Sequence, residues 1–133
     1  VRLLLDTCCL LWALQDFKRI SSSAQQDIKN PRNEVCVSLI SFWEISIKAS
    51  LGKLQILGAN PEDFPHLVNE AGWEIVPLDA ETVATSGRLP FQSKHRDPFD
   101  RLMVWCAIRE DFVLVSRDRA MEIYAPNGLR ICW

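Results

Sequence analysis

Four stretches of the chain carry acids where chemistry could use them. Asp6 ends the apolar run "RLLL" of residues 2–5, and Asp118 stands two residues beyond "VLVS" at 113–116. In open parallel sheets ligands collect beyond the carboxyl ends of the strands, so acids at two such ends are candidates for acid, base or cation-binding work. Each also has an ordinary reading as a turn or cap residue. Glu44 lies in "SFWEISIK", where Ser41-x-x-Glu44 fits a capping box and Glu44 with Lys48 fits an i,i+4 ion pair. Trp43, Ile45 and Ile47 surround it with apolar bulk, which predicts a partly buried carboxylate in need of a strong partner, either Lys48 or another cation. The fourth stretch, "HRDPFDR" at 95–101, sets Asp97 and Asp100 around Pro98. Asp97 followed by proline is a helix start, an acceptor cap and then a fixed φ. Asp100 then falls in the first turn, where the helix dipole favours negative charge, and the local pattern leaves open whether either acid does more.

The elements that must position these residues follow from apolar spacing and punctuation. Residues 2–5 predict a strand, followed by a helix through "CCLLWALQD". Ser21 to Ser23 predict the start of a short helix to about Asn30, and "PRN" predicts a turn before a strand at 35–38. A helix from Ser41 to Leu51 ends at Gly52, a loop covers "KLQILGANPED", and a further helix reaches about Ala71. "WEIVPL" (73–78) reads as the third strand, Asp79 as the cap of a helix to about Arg88, and Pro98 as the start of a helix to about Glu110. A fourth strand at 113–116, a short helix in "RDRAMEIY" and a terminal strand "LRICW" complete the chain. Strands alternating with helices predict a three-layer α/β/α sandwich around a mainly parallel sheet, in one domain over residues 1–133.

Composition narrows the function classes. The 133 residues are 48% hydrophobic, enough for such a core, and no apolar run approaches the roughly 20 residues that span a bilayer. With an acid inside the apolar N-terminal segment, the expectation is a soluble cytoplasmic protein. Five cysteines, an odd number in apolar settings without a C-x-x-C pair, read as buried thiols rather than a zinc or redox site. The net charge of −2 lacks the basic footprint of a passive nucleic-acid binder. If four carboxylates served metal ions, however, the 17 acids would leave 13 against 15 basic residues, a balance that suits a polyanion.

The order "LLLDT…LLWAL" at 3–14, "VSLISFWEISIKASLGKL" at 37–54, "LPFQSKHRDPFDRLMVWCA" at 89–107 and "LVSRD" at 114–118 resembles the PIN-domain ribonucleases of VapC-type toxins, end to end. The resemblance implies a PIN-like fold and places the family's four acids on Asp6, Glu44, Asp100 and Asp118. It makes Asp97 the cap and Asp100 the functional carboxylate. Thr7 and Ser116 fall where the family often keeps a hydroxyl to orient a carboxylate, with turn and cap hydrogen bonding as the alternative. Many relatives of this subgroup carry a histidine where this chain has Cys8, so a substrate role for that position does not transfer; packing is the expected role of the cysteine.

Four converging acids repel one another unless a cation compensates, and Mg²⁺ or Mn²⁺ are hard ions that prefer oxygen ligands. Such ions suit phosphodiester hydrolysis, in which they activate water and neutralise charge at phosphorus. Asp6, Asp100 and Asp118 are the expected inner ligands, with Glu44 acting through water or positioning the attacking water. The resemblance implies RNA as substrate, an antitoxin as inhibitor and a homodimer. Lys48, Lys94, His95, Arg96 and Arg117 are candidates for phosphate contact. Trp12, Phe17, Phe42, Trp43 and Leu54 offer apolar groups for an interface, with ordinary core packing as the alternative. A catalytically weak PIN domain used as a binding module and a housekeeping RNA-processing nuclease are the alternatives. A phospho-acceptor receiver domain would need an acid pair at the first strand, which "LDTCC" does not supply.

Overall fold

A computed structural model describes residues 1–133 and contains five strands: β1 (Arg2–Leu5), β2 (Glu34–Ser38), β3 (Glu74–Val76), β4 (Val113–Val115) and β5 (Arg130–Cys132). Six α-helices connect them: α1 (Thr7–Gln15), α2 (Ser22–Lys29), α3 (Leu39–Ser50), α4 (Phe64–Glu70), α5 (Ala80–Thr85) and α6 (Pro98–Arg109). The strands form one all-parallel sheet in the order β3-β2-β1-β4-β5. The chain builds outward from β1 to β2 and β3, then returns to lay β4 on the other side of β1. A crevice therefore opens at the carboxyl ends of β1 and β4, the point where the strand order reverses.

Strict alternation along the strands sends side chains to both faces. Leu3, Leu5, Val35, Val37 and Val115 pack with Leu10, Ile28, Ile45 and Val68 of α1 to α4. Leu4, Cys36 and Leu114 pack on the opposite face with Met103, Val104 and Ala107 of α6 and with Met121 and Tyr124. Both faces are covered, which gives the expected three layers and explains strands of nearly continuous apolar character. No helix is long and apolar enough to cross a membrane.

Three local expectations need correction. The third helix starts at Leu39, not Ser41: Ser38 ends β2 and at once caps α3, its hydroxyl accepting from the Ile40 N–H at 3.1 Å. Ser41 is thus no cap; it is a fully buried residue of the first turn. The short helix expected in "RDRAMEIY" is a 3₁₀ segment, Arg119–Asn127, closed by Gly128 at φ 102°, a conformation that favours glycine. Not all thiols are buried either: Cys9, Cys36 and Cys106 are, Cys132 is half-buried, and Cys8 is exposed. Partial burial, with the charge of Asp6, pushes the Cys8 thiol up, away from reactivity.

Candidate metal centre

The carboxyl ends of β1 and β4, the first two turns of α3 and the first turn of α6 meet at the crevice. Asp6 directly follows β1, where its backbone N–H donates to the Val115 carbonyl at 3.1 Å. Its side chain caps α1 by accepting from the Cys9 N–H at 2.7 Å. Burial raises the Asp6 carboxyl above the usual carboxylate range; the Ser116 hydroxyl and the Cys9 N–H oppose this, and the charge of Glu44 adds to it. A single Asp thus serves both as helix cap and as an acid at the crevice.

Glu44 is held from two sides. Helical spacing places Ile40, Ser41, Glu44 and Ile45 on the buried face of α3. The Thr7 hydroxyl donates to Glu44 Oε1 at 2.6 Å and stands 3.1 Å from the Ser41 hydroxyl. Lys48 Nζ donates to Glu44 Oε2 and lies 3.8 Å from Asp97 Oδ2. Burial pulls the Lys48 ammonium down, but its hydrogen bond to Glu44 and the charges of Glu44, Asp97 and Asp100 outweigh this, so its proton is held more tightly than usual. Of the apolar residues expected to bury Glu44, only Ile45 is inside. Trp43 is 57% exposed and Ile47 38%: Trp43 and Ile45 are turned about 100° to opposite sides of Glu44 around the helix, and only the Ile45 side faces the core. Trp43 instead stacks edge-on against Phe99 of α6, ring centroids 4.8 Å apart, and so ties the second turn of α3, which carries Glu44, to the first turn of α6, which carries Asp100.

The α6 turn carries the two acids of "HRDPFDR". Asp97 is the cap: its Oδ1 accepts from the N–H groups of Phe99 at 2.8 Å and Asp100 at 3.1 Å. Asp100, one turn in, has donor oxygens close to two different groups. One is Glu44 with Asp97, the other His95 with Asp118, and within each set the ligand atoms lie within 4.8 Å of one another. Burial, then the charges of Asp97, Glu44 and Asp6, push the Asp100 carboxyl up to about 7, against the pull of Lys48. Asp118 is exposed and shaped by its own cap, accepting from the Ala120 N–H at 2.9 Å, while its N–H donates to the Ser116 hydroxyl at 3.1 Å. Asp6 falls outside both close sets. The hydroxyls of Thr7 and Ser116 do contact acids or their backbone.

Among the basic residues read as phosphate contacts, Lys94, Arg96 and Arg117 are exposed. The Lys48 ammonium is engaged with Glu44, and His95 is only 4% exposed, so it is not a surface residue. Its Nδ1 lies 2.7 Å from the Tyr124 hydroxyl, to which Arg101 Nη1 donates at 3.0 Å. Neither Tyr124 nor Arg101 carries a signal in sequence, since their contacts with His95 and each other span 29 and 23 residues. Away from the crevice, Trp12, Phe17, Phe42 and Leu54 are half-buried against the α1–α4 core, and of the expected interface group only Trp43 is well exposed. Trp12 and Leu54, with Leu57 and Leu67, line a groove of about 930 Å³ between α1, α4 and the segment joining α3 to α4.

A family model described as a PIN domain matches residues 3–125. Three solved structures are similar in fold over almost all of both chains. VapBC2 from Rickettsia felis, bound to a DNA fragment from its promoter, aligns with TM-score 0.67 at 16% identity, covering 99% of this chain and 98% of that one. DNA-bound VapBC from Salmonella typhimurium gives 0.66 at 17%, covering 99% and 97%. VapBC-1 from nontypeable Haemophilus influenzae gives 0.68 at 17%, again covering 99% and 97%. No curated protein matches the chain significantly in sequence.

Proposed function

Because this chain belongs to the PIN-domain family, we propose that it is a Mg²⁺- or Mn²⁺-dependent ribonuclease that hydrolyses RNA phosphodiester bonds, and the toxin of a toxin–antitoxin pair. The observation that carries this reading is Asp100, a half-buried carboxyl shared between two sets of potential ligands and pushed up to about 7 by burial and by its acidic neighbours. Such a carboxyl is poorly ionised by itself and well suited to ionise against a divalent cation. The donor set is oxygen apart from His95, which fits a hard ion.

Asp100 and Asp118, with Asp6 at the adjoining strand end, would hold the ion. When bound, it supplies an activated water and neutralises charge at phosphorus. Glu44 has both oxygens occupied, by Thr7 and Lys48, so its part is to hold charge and orientation behind the inner acids. Ser116 supports both sides of the crevice, through the Asp118 N–H and the Asp6 carboxyl. Lys94, Arg96 and Arg117, exposed near these acids in sequence, are available to phosphates on either side of the cut. The toxin assignment draws support from the VapBC folds and from the apolar groove lined by Trp12 and Leu54, which suits an inhibitory antitoxin or a second copy in a homodimer.

The test is cleavage of single-stranded and looped RNA by the purified chain with Mg²⁺, with Mn²⁺ and with EDTA. Asp100→Asn and Asp118→Asn should each lower the rate by more than about a hundredfold, beyond the usual cost of losing a partner outside the ligand set, while the proteins stay folded. Full cleavage in EDTA, or in both variants, would discard the nuclease reading. Growth arrest on expression, relieved by Asp6→Asn, separates a toxin from a housekeeping enzyme.

A further inference from the structure

His95 Nε2 is a buried side-chain polar atom with no hydrogen-bond partner. It points at the acids: Asp100 Oδ2 is 3.9 Å away, and Asp118 offers an oxygen within 4.8 Å. A buried polar atom left unpaired at a cluster of acids calls for a role. Whether that role is donor or ligand depends on which ring nitrogen carries the proton.

Arg101 decides this. A guanidinium has only donors. Arg101 spends them on the Leu89 carbonyl at 2.8 Å, the Pro90 carbonyl at 3.1 Å and the Tyr124 hydroxyl oxygen at 3.0 Å. The Tyr124 proton therefore cannot go to Arg101, and the acceptor that faces it is His95 Nδ1, 2.7 Å away. With the proton on Nδ1 instead, two donors would converge on one hydroxyl oxygen, and the hydroxyl proton of fully buried Tyr124 would have no acceptor. With the proton on Nε2, every group in the chain Arg101, Tyr124, His95 is paired except the last N–H, which faces Asp100.

We propose that His95 is a positioning residue of the acidic centre: an imidazole fixed by Arg101 and Tyr124 with its proton on Nε2, whose N–H faces Asp100 Oδ2 across 3.9 Å and orients that carboxylate electrostatically, and which is not itself a metal ligand. With the N–H facing Oδ2, the other Asp100 oxygen is left for a cation. A protonated Nε2 has no lone pair to offer, so the ions that favour imidazole gain nothing here and the centre keeps an oxygen donor set suited to Mg²⁺ or Mn²⁺. The inference rests on the nuclease reading only for the use to which Asp100 is put.

The tautomer can be read without cleavage and with His95 itself unchanged. The full chain, ¹⁵N-labelled at histidine, contains only His66 and His95, and His66→Asn assigns them. Long-range ¹H–¹⁵N correlation spectra near neutral pH in EDTA should show the Nε2–H pattern for His95, and Tyr124→Phe should lose that preference. In calorimetric titration with Mg²⁺, His95→Gln, which retains an N–H donor, should keep the wild-type affinity, whereas His95→Leu should lose about tenfold. An Nδ1–H pattern in the wild-type chain overturns the proposal, as does an Nε2 resonance that moves to a metal-bound position on adding Mn²⁺ or Zn²⁺, or equal Mg²⁺ affinity in the Gln and Leu variants. Absence of RNA cleavage alongside the expected tautomer and the Gln–Leu difference would discard the nuclease reading while supporting the role of His95.

Discussion

Two groups of acids share Asp100, and they differ in whether the chain supplies their cation. In the first, Glu44 and Asp97 flank Lys48, whose ammonium bonds one and lies 3.8 Å from the other. Every oxygen of Glu44 is spoken for, and one oxygen of Asp97 caps α6. In the second, Asp100 and Asp118 face a buried imidazole, and no Lys or Arg pairs with Asp118 or with Asp6. The same residue types thus build one group that holds an internal ammonium and, a few ångströms apart, one that holds none. Negative charge that the protein does not balance is where an external cation has most to gain, which is why the proposed ion is assigned to the Asp118 side.

Removing the internal cation is the strongest way to break this contrast. Lys48→Met leaves Glu44, 7% exposed in its side chain, with only the Thr7 hydroxyl. Breaking a fully buried pair from one side costs about 3–5 kcal/mol. With Lys48 one-third exposed, about 2 kcal/mol is expected in denaturant unfolding near neutral pH. Because Lys48 is raised in the folded protein, its contribution is fully present below its ordinary value of 10.5 and is lost only as pH climbs beyond that. An unchanged midpoint in denaturant would mean that Lys48 does not compensate the buried Glu44 carboxylate.

Asp100 tests the other half with the opposite sign. A carboxyl raised from 3.8 to about 7 keeps its proton in the folded protein after the unfolded chain has lost it, so stability in EDTA should fall as pH rises from about 4 to 7. In full this shift amounts to about 4 kcal/mol. With the Asp100 side chain 35% exposed, solvent screening reduces it to about 1–2 kcal/mol. Asp100→Asn should therefore stabilise the EDTA-treated protein by that amount at pH 8, with the gain vanishing toward pH 4. Adding Mg²⁺ should stabilise the wild-type chain and narrow the gap. A variant less stable than wild type in EDTA at pH 8 would show that Asp100 is already compensated.

The sequence revealed the sheet and its caps more fully than the geometry of the crevice. Short apolar runs marked the strands, and Ser21, Asp79 and Asp97 were readable as caps because each is followed by helix-forming sequence; all three accept N–H bonds in those roles. The i,i+4 pairing of Glu44 with Lys48 was equally local. The start of α3 was not, since β2 passes into the helix at Ser38 with no turn residue between, and Ser41 offered an equally good cap. Nor could His95 be told from its neighbours in a polar connection. It is buried only because Tyr124, far along the chain, packs against its ring at 5.2 Å. The division of the acids into two groups likewise depends on the stacking of Trp43 on Phe99, which brings α3 and α6 together across 56 residues.

The smallest effect separates the two acids of "HRDPFDR" themselves. Asp97 contributes an acceptor rather than a charge: its Oδ1 takes two N–H groups at the start of α6, and its distance to Lys48 is too long for a strong pair. Asn at this position keeps the acceptor, so Asp97→Asn should leave stability nearly unchanged, while Asp97→Ala should cost about 1 kcal/mol. The first turn of α6 also holds Asp100 and Phe99 in place, so the loss in the Ala variant should show as faster amide exchange in that turn before the rest of the helix opens. Equal destabilisation by Asn and Ala would indicate that the charge of Asp97 matters and that it belongs with the uncompensated acids. Equal stability of both would mean that Pro98 and the Trp43–Phe99 contact fix the helix start without a cap.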